Sequence, residues 1–518
     1  MTTLDAAGGT ERERRFWLAA VTVTVLATLV RLLFAARLPL FPDETYYWEW
    51  SRRLAGGYFD HPPMIALLIR AGTAVLSAPI DPSALGVRFW SVLAGGVTGL
   101  ATSAIAWRLA GGAAAVRAAV IFALMPLAAS GLALATPDAP LLATSAVGLY
   151  FVVRALQSPI RSRESLLWWS GAGLALGLAF ASKYTSILLP LTITAAVLVR
   201  PSLRARLREP GPYVACVLAT LVFLPVLQWN ATHDWISFRF QIQHGLGAPK
   251  GSALKRELDL IGGQLGLVSP IVFALMAYAV WRTIRRPLDD VRFALAVVAV
   301  GSWVFFVYSA MRRSVEPNWP APSYIPGVAL LAAIATTEGL QRWLRRGVAL
   351  AAVLVGVLYV HALVPILPIP ARRDPLARNE GWSGVAARMN EAKVPVGGGV
   401  SRLGAARYQD VSELAYHTTG EGLGEPTPSV ICTCLSGRHN QYDLWPGFPQ
   451  VAKPGDALIL LLDESAGVPE TSAALAPYFA TVSRGALAPQ LRGDDTVSVR
   501  RIWILEGYRG GWPPRAEP

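Results

Sequence analysis

Two carboxylates, Asp43 and Glu44, an Asp60–His61 pair and a cluster of aromatic side chains share one short stretch, FPDETYYWEWSRRLAGGYFDHPPM (Phe41–Met64). Carboxylates can take or give protons, and a nearby lysine, arginine or histidine can steady a developing negative charge. Asp138, Lys183, His233, Asp234, Arg239 and His244 repeat the theme further along, followed by Arg312, Arg313, Glu316 and Asn318. The stretch comes directly after an apolar run, Phe16–Arg37, that is long enough to cross a bilayer. A loop that merely joins spans has no need of such groups. Acids and bases meeting in one cavity at membrane depth suit acid–base chemistry on an anionic, lipid-anchored substrate.

The elements that must position these residues follow from composition. Of 518 residues, 53% are hydrophobic and only 16% charged, and mean hydropathy is +0.41. Soluble proteins carry about a quarter charged residues, so the chain reads as a polytopic α-helical membrane protein. Eleven spans are expected, starting near Phe16, Ala84, Ala113, Pro137, Leu166, Thr185, Pro212, Gly262, Arg292, Pro322 and Gly347. The first reads as a retained anchor, since no convincing cleavage site closes it. With a cytoplasmic N-terminus, the loops holding Arg108 and Arg117, Arg161 and Arg163, Arg204 and Arg206, Arg285 and Arg286, and Arg345 and Arg346 all fall inside. The net charge of +13 therefore reads as orientation and gives no support to nucleic-acid binding. Pro63–Pro79, with Arg70 at its centre, reads as an interfacial helix, as does ETYYWEWSRRL.

The polar groups named above then all lie on the outer side. From residue 370 to 518 the pattern changes: runs such as SVICTCL and DALILLLD alternate with RYQDVSELAYHT, which predicts a small α/β domain. Residues 1–369 thus form the membrane domain and 370–518 the outer one. Cys432 and Cys434 read as too close for an unstrained bridge, and no zinc spacing exists. Structural alternatives stand beside each functional reading. Asp43 can cap a helix, His61 can be a loop residue held extended before proline, and Lys183 can snorkel to the interface. Trp168, Trp169, Trp229 and Trp235 can form an interfacial belt, and Arg312 and Arg313 can meet lipid headgroups. A transporter would place its charges near mid-membrane on broken helices, whereas these cluster on one face.

The opening stretch resembles the first extracytoplasmic loop of the GT-C glycosyltransferases in the protein O-mannosyltransferase superfamily. ATPDAP, SKYT, FRFQIQHG, EPNWPAPSY and RHNQYDLWPG resemble the bacterial branch that includes lipid A aminoarabinose and galacturonic acid transferases. The resemblance implies a GT-C fold in a bacterial inner membrane with its site facing the periplasm. It implies inverting transfer of a sugar from a polyprenyl-phosphate donor to a lipid or glycan acceptor, with no cofactor required. Protein O-mannosylation and movement of a lipid-linked substrate are the alternatives. By similarity Asp43 is the base, Asp138 a second acid and Glu44 a neighbouring acid, and a divalent metal at Asp43 and Asp138 stays open. Lys183, His61, Arg312 and Arg313 are candidates for the donor phosphate. Tyr46, Tyr58, Asp60, His244, Glu316, Asn318 and Tyr324 are expected to line the substrate cavity. Aminoarabinose-type relatives carry lysine where this chain has His61, a departure that bears on its phosphate role.

Overall fold

Peptide groups inside hydrocarbon find no water, so apolar runs that enter it close their hydrogen bonds as helices. The computed structural model describes residues 3–76, 83–249, 251–393, 399–418, 428–463 and 468–515. In chain order the helices begin with α1 (Thr3–Ala35), α2 (Pro42–Arg52), α3 (Met64–Leu76), α4 (Ala84–Ala110), α5 (Gly112–Leu124) and α6 (Pro126–Ser130). They continue with α7 (Asp138–Gln157), α8 (Arg163–Phe180), α9 (Leu188–Val199), α10 (Gly211–Ala231), α11 (Ile236–Leu246) and α12 (Ala253–Val268). Then come α13 (Pro270–Arg285), α14 (Asp290–Ala310), α15 (Tyr324–Ile334) and α16 (Glu338–Leu363), with α17 (Trp382–Glu391) and α18 (Tyr408–His417) in the C-terminal region.

Among the described residues six helices are long and apolar enough to cross a membrane: α1, α4, α7, α10, α14 and α16. Three bent pairs bring the number to nine if each pair is one span. The chain is thus a multi-pass membrane protein. Of the eleven expected spans, α8 and α15 do not meet that measure. Helix α8 starts on Arg163 and Glu164, and α15 has 11 residues, roughly 16 Å against the ~30 Å of a bilayer core. The 105° bend between α12 and α13 has a local cause. Ser269 is left-handed (φ +77°) and Pro270 has no N–H with which to continue the ladder. The two stretches expected as interfacial helices are helical, as α2 and α3.

The described residues divide into two compact units. One comprises Met1–Ala36, His61–Ile65 and Arg88–His361. Its helices meet through small residues: a Cβ on Gly173 would lie 2.5 Å from the Ala215 backbone, so only glycine lets α8 and α10 approach this closely. The basic loop ends of this unit are tied by one acid. Buried Glu209 accepts from Trp169 Nε1 (2.9 Å), Ser165 Oγ (2.9 Å), the Arg161 N–H (3.0 Å) and Arg206 NH1 (3.3 Å). Burial opposes its charge, but these donors outweigh it and hold its pKa below the usual carboxylate range. Trp169, read as a belt residue, is therefore an interior one. Glu209→Ala removes the acceptor of three donors and the anionic partner of Arg206, and is expected to cost about 3–5 kcal/mol. Denaturant unfolding of the detergent-extracted variant checks this, and a change below about 1 kcal/mol would remove the knot from the account.

The other unit comprises Arg37–Asp60, Ala66–Val87 and Ala362–Pro518. Its sheet runs in the order β2 (Val430–Cys432), β1 (Ser401–Ala405), β3 (Ala457–Asp463), β5 (Asp495–Glu506), β4 (Thr481–Arg492). Strand β1 is parallel to β2 and β3, while β5 is antiparallel to β3 and β4. The run ALILLL is buried throughout because β3 is the central strand. Gly493, at φ +58°, closes the β4–β5 hairpin. The α/β reading of this region thus holds. The reading of its cysteines does not: Cys432 and Cys434 form a disulfide. A left-handed residue at Cys434 (φ +48°) turns the chain back as it leaves β2 and brings the two Cα atoms to 5.2 Å, within bridging range.

Candidate active site

Helix α2 begins where its sequence says it should. Pro42 occupies the first helical position, where its missing N–H costs nothing, and Asp43 and Glu44 place negative charge at the positive end of the helix. Phe41, not Asp43, holds the capping position. Glu44, expected as a neighbouring site acid, is fully buried and folds back so that the Phe41 N–H donates to its Oε2 at 2.9 Å. A carboxylate at this third position reaches the free amides of the first turn. The helix rests on α18, with Thr45 donating to Ser412 Oγ (3.1 Å) and Ser412 donating to the Pro42 carbonyl (3.1 Å).

Asp43 differs from its neighbours in keeping a solvent-exposed face. The Tyr408 hydroxyl approaches its Oδ1 at a long 3.4 Å. Protein crowds the group, and that desolvation pushes its pKa above the usual carboxylate range. Arg438 offsets the rise, Asp60 adds to it, the Tyr408 hydroxyl opposes it, and Glu44 adds again. Water still reaches the carboxylate and screens these effects. An accessible, weakly hydrogen-bonded carboxylate with raised basicity can accept a proton.

Beneath it lies a satisfied network. Tyr46 is buried, donates to Asp60 Oδ2 at 2.7 Å, and accepts from the Gln441 N–H at 2.6 Å. Asp60 pairs with Arg438, whose guanidinium lies over the Tyr408 ring at 4.6 Å. Burial first and Asp43 second push the Tyr408 hydroxyl up to about 12. Tyr58 does not face a cavity. It is fully buried, stacked on Trp50 at 4.4 Å, with its hydroxyl between the Trp50 and Arg53 carbonyls. Tyr46 and Tyr58 thus fasten the loop, because their long side chains bury best against Trp50 and each carries a hydroxyl that needs partners.

In the other unit three expected residues meet. Lys183 Nζ contacts Asp138 Oδ1 at 2.8 Å, and Asn318 Nδ2 donates to Asp138 Oδ2 at 2.9 Å. Asp138 opens α7, Lys183 sits in the turn after α8, and Asn318 precedes α15, so three separate turns supply the cluster. Asp138 and Asn318 also line a cavity of about 510 Å³ whose other walls, among them Leu127, Leu132, Leu142 and Leu267, are mostly aliphatic. Asp138 thus links the Lys183 ammonium to a mostly apolar cavity. Trp319 stands beside Lys183, with the ammonium 6.0 Å from its ring, and His244 packs on the same ring at 5.5 Å.

The remaining candidates scatter. Glu316 is exposed. Arg312 donates to the Leu246 carbonyl at 3.1 Å, and Arg313 lies against Gly247, so both arginines brace the turn after α11. Tyr324 is buried and donates to Gln264. His61 is half-buried, and the Met64 N–H just after it bonds the Ala181 carbonyl at 3.0 Å, two residues from Lys183. Among the described residues no three His, Cys, Asp or Glu side chains gather as a metal ligand set, and both Asp138 oxygens are already engaged. Arg438, Tyr408 and Gln441 were not foreseen as neighbours of the loop. Arg438 and Gln441 lie in RHNQYDLWPG and Tyr408 in RYQDVSELAYHT, stretches that say nothing by themselves about a partner.

Residues 60–229 match the family model described as dolichyl-phosphate-mannose-protein mannosyltransferase. The lipid A galacturonosyltransferase RgtD of Rhizobium johnstonii is 29% identical over 296 residues, 56% of this chain. The match spans 59% of RgtD's own length. ArnT from Cupriavidus metallidurans superposes with a TM-score of 0.63 in its complex with undecaprenyl phosphate and 0.61 in its apo state. Both comparisons cover 93% of this chain and 97% of ArnT at 17% identity. The oligosaccharyltransferase AglB of Archaeoglobus fulgidus, in complex with an inhibitory peptide and a dolichol-phosphate, gives 0.50 at 11% identity over 85% of this chain and 69% of its own. The fold is therefore ArnT-like, and the chain resembles the GT-C glycosyltransferases of the branch that includes ArnT and RgtD.

Proposed function

We propose that this chain transfers a sugar from a polyprenyl-phosphate donor to a lipid or glycan acceptor at the outer face of a bacterial inner membrane. The observation that carries the reading is the Asp138–Lys183–Asn318 cluster, of which Asp138 and Asn318 line a mostly apolar cavity of about 510 Å³. A charged head joined to a long apolar tail is the shape of ligand such a site suits. ArnT, by its bound undecaprenyl phosphate, supports the donor class, and RgtD, by its name as a lipid A galacturonosyltransferase, supports a lipid acceptor.

The chemistry assigns roles in order. The acceptor hydroxyl gives its proton to Asp43 as its oxygen bonds to the anomeric carbon. The bond from that carbon to phosphate breaks in the same displacement, so configuration inverts. The departing phosphate needs little protonation but gains charge, which Lys183 steadies. Asp138, itself held by the Asn318 amide, holds the Lys183 ammonium in place. Incubating the purified protein with a polyprenyl-phosphate sugar and an envelope lipid extract tests the reading. Free polyprenyl phosphate should appear in step with an acceptor that has gained one sugar mass. Transfer to protein alone, or passage of intact donor across the bilayer, would contradict it.

The reading carries a topology: eleven spans, a cytoplasmic N-terminus and a periplasmic C-terminal region. Reporter fusions after Leu203 and after Arg373 are expected to report opposite sides of the membrane. The same side for both would refute that orientation.

A further inference from the structure

The RHNQYDLWPG stretch, Arg438–Gly447, takes no part in the transfer as described, yet it contacts the Phe41–Asp60 loop at several points. Gln441 holds the loop at two points: its backbone N–H donates to the Tyr46 hydroxyl at 2.6 Å, and its side-chain oxygen accepts from the Phe59 N–H at 2.8 Å. Tyr442 packs on the Tyr46 ring at 5.6 Å. Arg438 then pairs with Asp60, which is only 5% exposed and already receives the Tyr46 hydroxyl. We infer that Arg438 is a positioning residue for Asp43: anchored on Asp60, it holds the Tyr408 ring and so fixes the hydroxyl that faces the base. The inference rests on the reading of Asp43 as the base.

The geometry supplies the reason. The guanidinium is clamped between a carboxylate and an aromatic face, with Asp60 on one side and the Tyr408 ring at 4.6 Å on the other. A planar, permanently charged fork suits that slot better than an ammonium does. Tyr408 in turn packs on Tyr46 at 4.8 Å and directs its hydroxyl to Asp43 Oδ1 at 3.4 Å. The charged and titratable groups facing Asp43 are therefore Arg438, Asp60, Tyr408 and Glu44. Glu44 is held at the helix N-terminus by the Phe41 N–H, which leaves Arg438 and Asp60 as the opposed pair acting on the base. A cation nearby favours the carboxylate, and a second anion disfavours it.

The test uses the full-length enzyme and the acidic limb of kcat/KM against pH, which reports the base in the free enzyme. Arg438→Gln removes the cation and leaves two carboxylates together, so the limb should move to higher pH and turnover at neutral pH should fall roughly ten- to hundredfold. Asp60→Asn removes the opposing anion and should move the limb to lower pH. Arg438→Lys keeps the charge without the fork, and should keep the limb near its original position while kcat falls. Opposite shifts from Arg438→Gln and Asp60→Asn are a result that a merely structural clamp would not produce. An unmoved limb in the folded variants, or shifts in the same direction, would overturn the inference. If Arg438→Gln does not fold, an unmoved limb in Asp60→Asn does so alone. Failure of the underlying reading looks different: Asp43→Asn would then keep near-normal turnover, and the limb would belong to another group.

Discussion

Asp43→Asn is expected to slow sugar transfer by at least about a hundredfold while leaving the protein folded and able to bind its donor. Position is the first reason. Asp43 is the solvent-exposed acid of the loop, whereas Glu44 is spent on the helix N-terminus and Asp60 on Arg438 and Tyr46. Basicity is the second. Crowding pushes its pKa up, so its carboxylate is a stronger base than an ordinary aspartate. Loss of a positioned general base costs about 10²–10⁴ in rate.

The folded protein should not suffer from this change. Asparagine keeps the size of the side chain, can still accept from Tyr408, and is tolerated in a first helical turn. The sign of the linkage points the same way. A carboxyl whose pKa is raised in the folded state adds stability at low pH that is lost as pH rises through that value. The neutral amide carries no such penalty, so the melting temperature at neutral pH should be unchanged or higher. A folded Asp43→Asn enzyme that turns over normally would remove Asp43 as the base.

Lys183→Ala is expected to have two effects that can be read separately. The Lys183 and Asp138 side chains are only 9% and 13% exposed, so removing the ammonium leaves a largely buried carboxylate hydrogen-bonded by Asn318. That should cost about 3–5 kcal/mol of stability. Replacing Asp138 by Asn in the same chain should recover part of the loss, since the stranded charge goes with it. The second effect concerns the ligand. An ammonium has three N–H donors and Asp138 takes one, which leaves donors for a phosphate. Without them, polyprenyl phosphate should bind roughly ten- to hundredfold more weakly, while the unphosphorylated polyprenol should bind as before. A variant that still prefers the phosphorylated lipid by the original margin would return Lys183 to a structural role.

Much of this site was legible before any coordinates. Asp138, Lys183 and Asn318 are 45 and 180 residues apart along the pairs they form, yet each stood out because an ionisable or amide group at the end of an apolar run is costly without a purpose. The α/β character of the C-terminal region was legible for a similar reason, since a buried strand such as ALILLL cannot hide its composition. What stayed hidden is pairing over long range. Arg438 and Asp60 are 378 residues apart, and nothing local marks either as the partner of the other. Nor does any pattern say that residues 37–60 pack with 362–518. Glu44 was misread for the opposite reason: the local rule for acids in a first helical turn was available and was given too little weight beside the functional one. The disulfide escaped because a left-handed residue at Cys434 is a backbone choice that its sequence neighbourhood does not announce.

The central claim, that the chain attaches a sugar to an envelope lipid or glycan, is tested most directly by mass spectrometry of envelope lipids and glycans from a strain lacking the gene. The account predicts that one species loses the mass of a single sugar, and that the intact gene restores it while the Asp43→Asn form does not. An unchanged lipid and glycan profile, or full restoration by Asp43→Asn, would contradict it.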